Sequence, residues 1–382
     1  MEGFAPTRLA VHVLPAGGLE EKLKEGRPLR VKLGVDPTSP DVHLGFAVVL
    51  DRLREWQDAG NVVVLIVGDY TARIGDPSGR SSERPVLPDE ELDANARRFA
   101  EQAFRILDRE RTEVRFNGEW LAKLSFAEVV RLTRMLTVSR LLERDDFAKR
   151  FAAQEPISLS ELLYPPMQAY DSVAIDADVE IGGTDQLYNL LTGRDVMERY
   201  GKAPQLVVTY PLLVGLDGEE KMSKSRGNYV GILEPPEEMF GKTMSIPDAA
   251  LPQWWELVAG GGEHPESPLE WKLELARRIT ARWHGEDGAR AGEEHFTRVV
   301  RRHEVPDEVP EATFAGGGAA VYLPALLQEA VGGSGSHWRR QIDQGGVKLD
   351  GAPLDGYDVE PGRLDGAVVQ VGKRRFVRFR LV

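Results

Sequence analysis

The sequence predicts an α/β chain: a doubly wound parallel sheet carrying a helical insertion, followed by an α-helical domain and a small α+β domain. Three observations carry this. Apolar runs at 30–35, 62–67, 177–181 and 206–214 alternate with stretches of helical period, the pattern of strand–helix–strand units. From 235 to 303 the pattern turns helical and tryptophan-rich (Trp254, Trp255, Trp271, Trp283), with few strand signals. The end of the chain then reverses its charge: residues 337–382 carry +3 while the remainder carries −16.

In order, residues 1–29 read as a short helical lead-in ending in a Gly-Arg-Pro turn. Residues 30–35 form a strand ending at Asp36, and Pro37 and Pro40 exclude helix. Phe46, Val49, Leu50, Leu53 and Trp56 then recur at helical spacing up to Gly60, with Asp41 expected as N-cap and His43 in the first turn. The run Val62–Val67 completes a βαβ unit, a crossover that is right-handed in nearly all sheets. In such sheets ligands bind beyond the carboxyl ends of the strands, where Asp36 and Asp69 fall. A Gly- and Asp-rich loop follows at 68–80, then an amphipathic helix over 88–112 and several more over 125–163. A strand at 177–181 leads into Gly182-Gly183-Thr184-Asp185-Gln186, with Thr184 expected to cap a helix reaching Tyr200; Leu206–Val214 is the next strand. The tail holds one short helix, a Gly345-Gly346-Val347-Lys348 turn and two final strands. The expected domains are 1–214, with its insertion at about 120–163; 215–305, a loop and helical domain; 306–319, a Pro/Gly linker; and 320–382.

Composition narrows the chemistry. Among 382 residues there is no cysteine, which removes disulfides and thiolate metal sites, and only seven histidines, two of them before residue 264, which disfavours a histidine zinc centre. No metal-ligating set is expected. No apolar run approaches the ~20 residues of a membrane helix, and the amino terminus lacks a signal-peptide pattern, so the expectation is a soluble cytoplasmic protein without a membrane partner. A net charge of −13 argues against a chain coated in nucleic acid, though not against a local basic face.

The two commonest phosphate signatures, Gly-x-x-x-x-Gly-Lys-Ser/Thr and Gly-x-Gly-x-x-Gly between strand and helix, are absent. The chain offers instead a histidine at a helix amino terminus, where free N–H groups favour an anion, and Lys221, Lys224 and Arg226 in a glycine-bracketed loop. Together these would neutralise charge building on a phosphoryl group under attack. Tyr164, Gln168 and Asp171, spaced i, i+4 and i+7 after Pro165-Pro166, share one helix face, and apolar neighbours Met167, Val173 and Ile175 favour its burial. A buried carboxylate needs partners, and a ligand ammonium and phenol O–H would supply them.

His43-Leu44-Gly45-Phe46 and Lys221-Met222-Ser223-Lys224-Ser225 resemble, in that order, the two signatures of class I aminoacyl-tRNA synthetases. The second is a full match. The first departs at Phe46, where the family has His or Asn and where a phenyl ring cannot donate a hydrogen bond. The tracts Tyr164–Asp171, Gly183-Thr-Asp-Gln186 and Gly75-Asp-Pro-Ser-Gly-Arg80 look like those of bacterial tyrosyl-tRNA synthetases, a resemblance spanning essentially the whole chain. It implies a Rossmann-like catalytic domain that activates L-tyrosine with ATP, Mg²⁺ riding on the phosphates, and then transfers it to the 3′ end of tRNA(Tyr). It further implies that Asp171 receives the substrate hydroxyl and that Tyr164, Gln168 and Asp76 hold its ammonium. Asp36, Gly183, Asp185 and Gln186 would line the tyrosine, carboxylate and ribose region, and Thr71 the wall. His43, Gly45, Lys221, Met222 and Lys224 would face the ATP, with His43, Lys221 and Lys224 carrying the rate. Arg80 and Arg84 would sit near the pyrophosphate.

Lys32 stands where many members place a tyrosine against the substrate hydroxyl, which fits the subgroup with the Lys-Met-Ser-Lys-Ser loop. The tail resembles a small RNA-binding domain first described in a ribosomal protein, with Arg339, Arg340, Lys348, Lys373, Arg374 and Arg375 toward the tRNA. The insertion would form a two-fold homodimer interface, for which Leu132, Met135, Leu136, Leu141 and Leu142 are either surface or core. No editing domain is visible. The rival readings are a tryptophanyl-tRNA synthetase, a catalytically idle RNA-binding relative, and a small nucleotidyltransferase.

Overall fold

The computed structural model of the protein describes residues 5–38, 41–76, 88–301, 309–315, 320–354, 356–372 and 375–382. The chain divides into two compact units, Met1–Glu234 with Ser245–Leu275, and Pro235–Met244 with Ala276–Val382.

The first unit is built on a six-stranded sheet of order β1-β6-β5-β2-β3-β4. Its strands are β1 (His12–Leu14), β2 (Arg30–Val35), β3 (Val62–Val67), β4 (Thr112–Phe116), β5 (Val179–Gly183) and β6 (Leu206–Tyr210). All pair in parallel except β1, which runs antiparallel on β6. Strands covered on both faces read as unbroken apolar runs, and Val63–Val67 are wholly buried. The two edge strands went unread. β1 lies in the stretch expected to be helical lead-in, of which only α1 (Gly18–Lys24) is an α-helix. β4 begins at Thr112, the last residue of the span expected as one helix: that helix, α3 (Asp89–Ala103), ends early, and Asp108 turns the chain by accepting from the Glu110 N–H. Every β4 residue is partly exposed and two are charged, so no apolar signal marks it.

Helix α2 (Leu44–Asp58) buries Leu50, Leu53 and Trp56 under the sheet. Its N-cap is His43, at φ −108° and ψ 168°, rather than Asp41. The reason is local: Val42 and Leu44 exchange backbone hydrogen bonds with Ile232 and Val230, which holds 41–43 extended. After β5 a 3₁₀ turn, Thr184–Gln186, precedes α9 (Leu187–Arg199), so Thr184 does not cap that helix directly. β6 stops before Pro211, and Val214 rejoins only as a bridge to Lys221.

The insertion holds α4 (Gly118–Leu121), α5 (Phe126–Thr133), α6 (Val138–Leu141) and α7 (Asp145–Ala152), then a 3₁₀ turn into α8 (Tyr164–Ile175). Pro165 and Pro166 fall in the first turn of α8, where a missing N–H costs nothing. Leu132 is core, packed with Ala169, Val173, Val196 and Met197, and Leu141 is buried too. The exposed apolar side chains of the insertion are Phe126, Val130, Val138, Phe151 and Leu159.

The helical stretch comprises α10 (Pro236–Met244), α11 (Leu251–Val258), with Trp254 and Trp255 buried, and α12 (Pro268–Phe296), which breaks at Gly285 (φ 72°). In the second unit Glu311–Phe314, inside the expected linker, is a strand (β7) that closes the edge of a five-stranded sheet by pairing in parallel with the last strand, β13 (Arg375–Leu381). β9 (Val347–Leu349), β10 (Ala352–Pro353) and β12 (Val368–Val371) complete that sheet; β8 (Val321–Tyr322) and β11 (Asp358–Val359) form a separate pair. Where one short helix was expected there are α13 (Leu323–Val331), α14 (Gly335–Asp343) and the single turn α15 (Pro361–Leu364). Leu323, Leu327, Trp338, Ile342, Val369 and Phe379 make their common core. Among the described residues no helix is long and apolar enough to cross a membrane.

Candidate active site

The chain leaves β2 for β3 on one side, yet β5 and β6 line up on the other. Loops after β2 and β5 therefore diverge and open a crevice at the carboxyl ends of the strands, the site class expected from the sequence. A cavity of about 1080 Å³ lies there. It gathers Asp36, His43, Gly45, Thr71, Asp76, Tyr164, Gln168, Asp171, Gly183, Asp185, Gln186, Lys221, Met222 and Lys224 from six separate segments.

One wall is a carboxylate network. Asp36 accepts from the Thr71 hydroxyl at 2.8 Å and from the Tyr164 hydroxyl at 2.9 Å. A side chain at Gly68 would collide with the Asp36 carboxylate and the Thr71 hydroxyl and displace the hydrogen bond between them. Asp171 is buried and accepts from Trp120 Nε1 at 2.8 Å and Asn117 Nδ2 at 3.3 Å. Burial pushes its carboxyl up to about 7 against the lowering pull of Lys32 and these donors. Asn117 also donates to Thr71 at 3.0 Å and accepts from the Tyr70 N–H, which ties both carboxylates into one frame.

Lys32 is not poised on a substrate hydroxyl. Fully buried, its ammonium pairs with Glu180 at 2.8 Å and donates to Ser172 Oγ at 2.8 Å and the Gln168 backbone carbonyl at 3.1 Å. Gln168 Nε2 in turn donates to Glu180 at 3.1 Å. Across the crevice Gln186 Nε2 donates to Asp76 at 2.7 Å and its oxygen accepts from Asn189, itself held by Arg144.

The residues expected to handle phosphate share the cavity. His43 is buried, and burial, reinforced by the charges of Lys224 and Lys221, lowers it to about 3, so it stays neutral. Its Nδ1 has no partner among the described residues. A Cβ on Gly45 would sit 3.1 Å from that ring and 3.5 Å from Met222 Cβ, which adds a protein reason to the expected ligand one for glycine here. Phe46 replaces a hydrogen-bonding residue with packing: its ring lies 4.6 Å from that of His43 and 5.5 Å from that of Phe99, with Lys224 Nζ 5.7 Å above it. Burial lowers Lys224 to about 8. Lys221 pairs with Asp185 at 2.7 Å. The loop is braced from within by Asn228, which accepts from the Ser223 N–H at 2.8 Å and donates to the Lys221 carbonyl at 3.3 Å.

Arg80 and Arg84, and Lys373 and Arg374, lie outside the described residues. Arg339 and Arg340 are exposed on α14, Arg375 is exposed at the start of β13, and Lys348 is half-buried on β9. Arg378 and Arg380 face Glu311 of β7 at 3.9 and 3.1 Å. The sequence reading missed Asn117, Trp120, Glu180 and Asn228. For the first two the signal was available only once β4 was known to be a strand, since they follow its carboxyl end.

Residues 24–300 match the model of a family described as tRNA synthetases class I (W and Y). The chain is 49% identical to the tyrosine–tRNA ligase of Thermotoga maritima over 97% of this chain and 95% of that one. It is 47% identical to the tyrosine–tRNA ligase of Moorella thermoacetica over 97% and 94%. Among solved structures it resembles the tyrosyl-tRNA synthetase of Archaeoglobus fulgidus complexed with L-tyrosine, with TM-score 0.62 and 23% identity over 75% of this chain and 97% of that one, a likeness of fold.

Proposed function

The chain belongs to the class I tRNA synthetases and is a tyrosine–tRNA ligase, and from that premise we propose how its residues divide the work. The observation that carries the reading is a buried carboxylate, Asp171, placed in the same cavity as the His43 and Lys221–Lys224 segments. Asp171 accepts the substrate phenol O–H, while Asp76, Tyr164 and Gln168 receive the ammonium. Asp36 orients Tyr164 and Thr71 through its two hydrogen bonds. Phenylalanine would leave the buried carboxylate without that proton, and a rejection of about 10⁴–10⁵ is already known for tyrosine over phenylalanine in this enzyme class. Discrimination of that size needs no editing.

ATP enters as its Mg²⁺ complex, the cation belonging to the substrate. The tyrosine carboxylate oxygen attacks the α-phosphorus, the bond to the β-phosphate oxygen breaks, and pyrophosphate departs with the electron pair. Neutral His43 offers a hydrogen bond and Lys221 and Lys224 offer charge to the phosphate oxygens, with Asp185 and Gln186 toward the ribose and Gly45 and Gly183 allowing close approach. A hydroxyl of the terminal adenosine of tRNA then attacks the acyl carbon and releases AMP. Positioning and charge neutralisation supply the rate in both steps.

Arg339, Arg340, Lys348 and Arg375, with Lys373, Arg374 and, near the pyrophosphate, Arg80 and Arg84, complete the reading on the RNA and phosphate sides. We assign Phe126, Val130, Val138, Phe151 and Leu159, exposed large apolar groups of the insertion, to the apolar area of a homodimer interface. We place the enzyme in the cytoplasm. ATP–pyrophosphate exchange tests the whole: it should require tyrosine, and exchange supported by tryptophan, or by no amino acid, would overturn the reading.

A further inference from the structure

We propose that the buried Lys32–Glu180 pair is a positioning device that fixes the polarity of Gln168, so that the substrate ammonium meets the Gln168 oxygen rather than its NH₂. The inference rests on the reading that Gln168 receives the ammonium.

Lys32 and Glu180 are cross-strand neighbours where β2 and β5 pair, at the root of the crevice. All three ammonium donors of Lys32 are committed within the protein: to Glu180, to Ser172 Oγ and to the backbone carbonyl of Gln168. Glu180 is as fully engaged, one oxygen accepting from Lys32 and Gln168 and the other from Ser172 and Gln205. Neither group has capacity left for a substrate. What the pair controls is chemical direction. An ionised carboxylate only accepts hydrogen bonds, so Gln168 must offer its side-chain NH₂ to Glu180, and its side-chain oxygen Oε1 is left for the cavity that it lines. A cationic substrate group needs that acceptor.

The lysine keeps the instruction unambiguous. A buried carboxylate without its cation takes up a proton, and a carboxylic acid can donate to an amide oxygen. The Gln168 amide would then be free to turn over and present two N–H groups to the ammonium. One ion pair and one hydrogen bond so convert a charge on β2 into the orientation of an amide on α8.

The probe is a ligand without the ammonium, 3-(4-hydroxyphenyl)propionate, which keeps the ring, hydroxyl and carboxylate. Lys32→Met/Glu180→Leu removes both charges and strands neither, a replacement that buried pairs often tolerate. The expected result is a KM for tyrosine raised about tenfold or more, as for a lost hydrogen bond to a charged group, with kcat and the inhibition constant of the propionate unchanged. Lys32→Met/Glu180→Gln is nearly isosteric but places at 180 a group that both donates and accepts, so it should lower the preference as well. If the first variant does not fold, the second decides: a lowered preference supports the proposal, and a preference near wild type overturns it. Equal weakening of tyrosine and propionate also overturns it, as does an unchanged preference in the first variant. Should Gln168→Met itself leave the preference unchanged, the assignment of Gln168 to the ammonium fails and the proposal falls with it. A loss in Gln168→Met alone would remove only the role of the pair.

Discussion

Asn228 Nδ2 donates to Asp217 Oδ2 at 2.6 Å across the base of the loop that carries Lys221 and Lys224. Asp217 in turn accepts from the N–H groups of Glu219 and Glu220, and the Asn228 carbonyl accepts from the Leu216 N–H at 2.9 Å. Between them the two side chains tie both strands of the loop. Asn228→Ala should lower adenylate formation about 10–100-fold through misplaced lysines while tyrosine affinity holds. Rapid-quench measurement of the first turnover, beside equilibrium tyrosine binding, checks this; equal losses in both would show a wider collapse.

Lys224→Ala should slow adenylate formation by about 10²–10³, the scale of one removed charge-stabilising group, and spare tyrosine binding. Single-turnover rates and tyrosine titration separate the two, and parallel losses would exclude a transition-state role for the lysine.

Two pH limbs are expected. On the proposed reading Asp171, raised to about 7, accepts the phenol O–H most strongly when ionised, so kcat/KM for tyrosine should fall as pH drops through about 7. Lys224, lowered to about 8, is cationic below that value, so kcat/KM for ATP should fall as pH rises through it. Lys32 and Glu180 face Asp171, and Asp41 acts on Lys224. Asp171→Asn should abolish the acid limb, and a profile that keeps it would assign that limb elsewhere.

Trp120→Phe removes a donor that favours ionised Asp171. The acid limb should move upward, and preference for tyrosine over phenylalanine should shrink by about 10–100-fold, the equivalent of ~1.5–3 kcal/mol for a hydrogen bond to a charge. Competitive exchange assays read this ratio directly.

Truncation tests the tail, and the cut must respect β7. A chain ending at residue 309 removes the whole five-stranded sheet, whereas one ending at 319 leaves β7 without its partner β13. The shorter chain should keep tyrosine-dependent pyrophosphate exchange and lose tRNA charging; the full chain's charging should weaken steeply with salt, as phosphate contacts require. Unchanged charging by the truncated chain would refute RNA binding by the tail.

How much of this was legible beforehand divides along physical lines. Parallel strands buried on both faces announce themselves as apolar runs, so β2, β3, β5 and β6 and the crevice above them could be read, and with them Asp36, His43 and the lysine loop. Edge strands carry no such run. β4 was therefore invisible, and with it Asn117 and Trp120, whose place beside Asp171 depends on where β4 ends. Lys32 was visible as an irregular residue, but its partner was not: that Glu180 lies beside it is a fact of strand order, with 147 residues of chain omitted from any local pattern. The capping error at Asp41 has the same origin, since the strand-like pairing of 42–44 with 230–232 outranks a local preference.

The antiparallel strand at the amino terminus sets a schedule. His12–Leu14 has one partner in the sheet, Val207–Thr209, which the ribosome adds nearly two hundred residues later. At the usual ~5–20 residues per second the first strand waits roughly 10–40 s with its backbone groups unpaired. During that wait the nascent chain exposes a sheet-forming edge, the kind of surface that chaperones shield. A stall placed between the codons for Asn189 and Leu206 should therefore yield a chain that aggregates, while one placed after Leu275 has emerged, when the whole first unit is available, should yield a chain able to hold tyrosine.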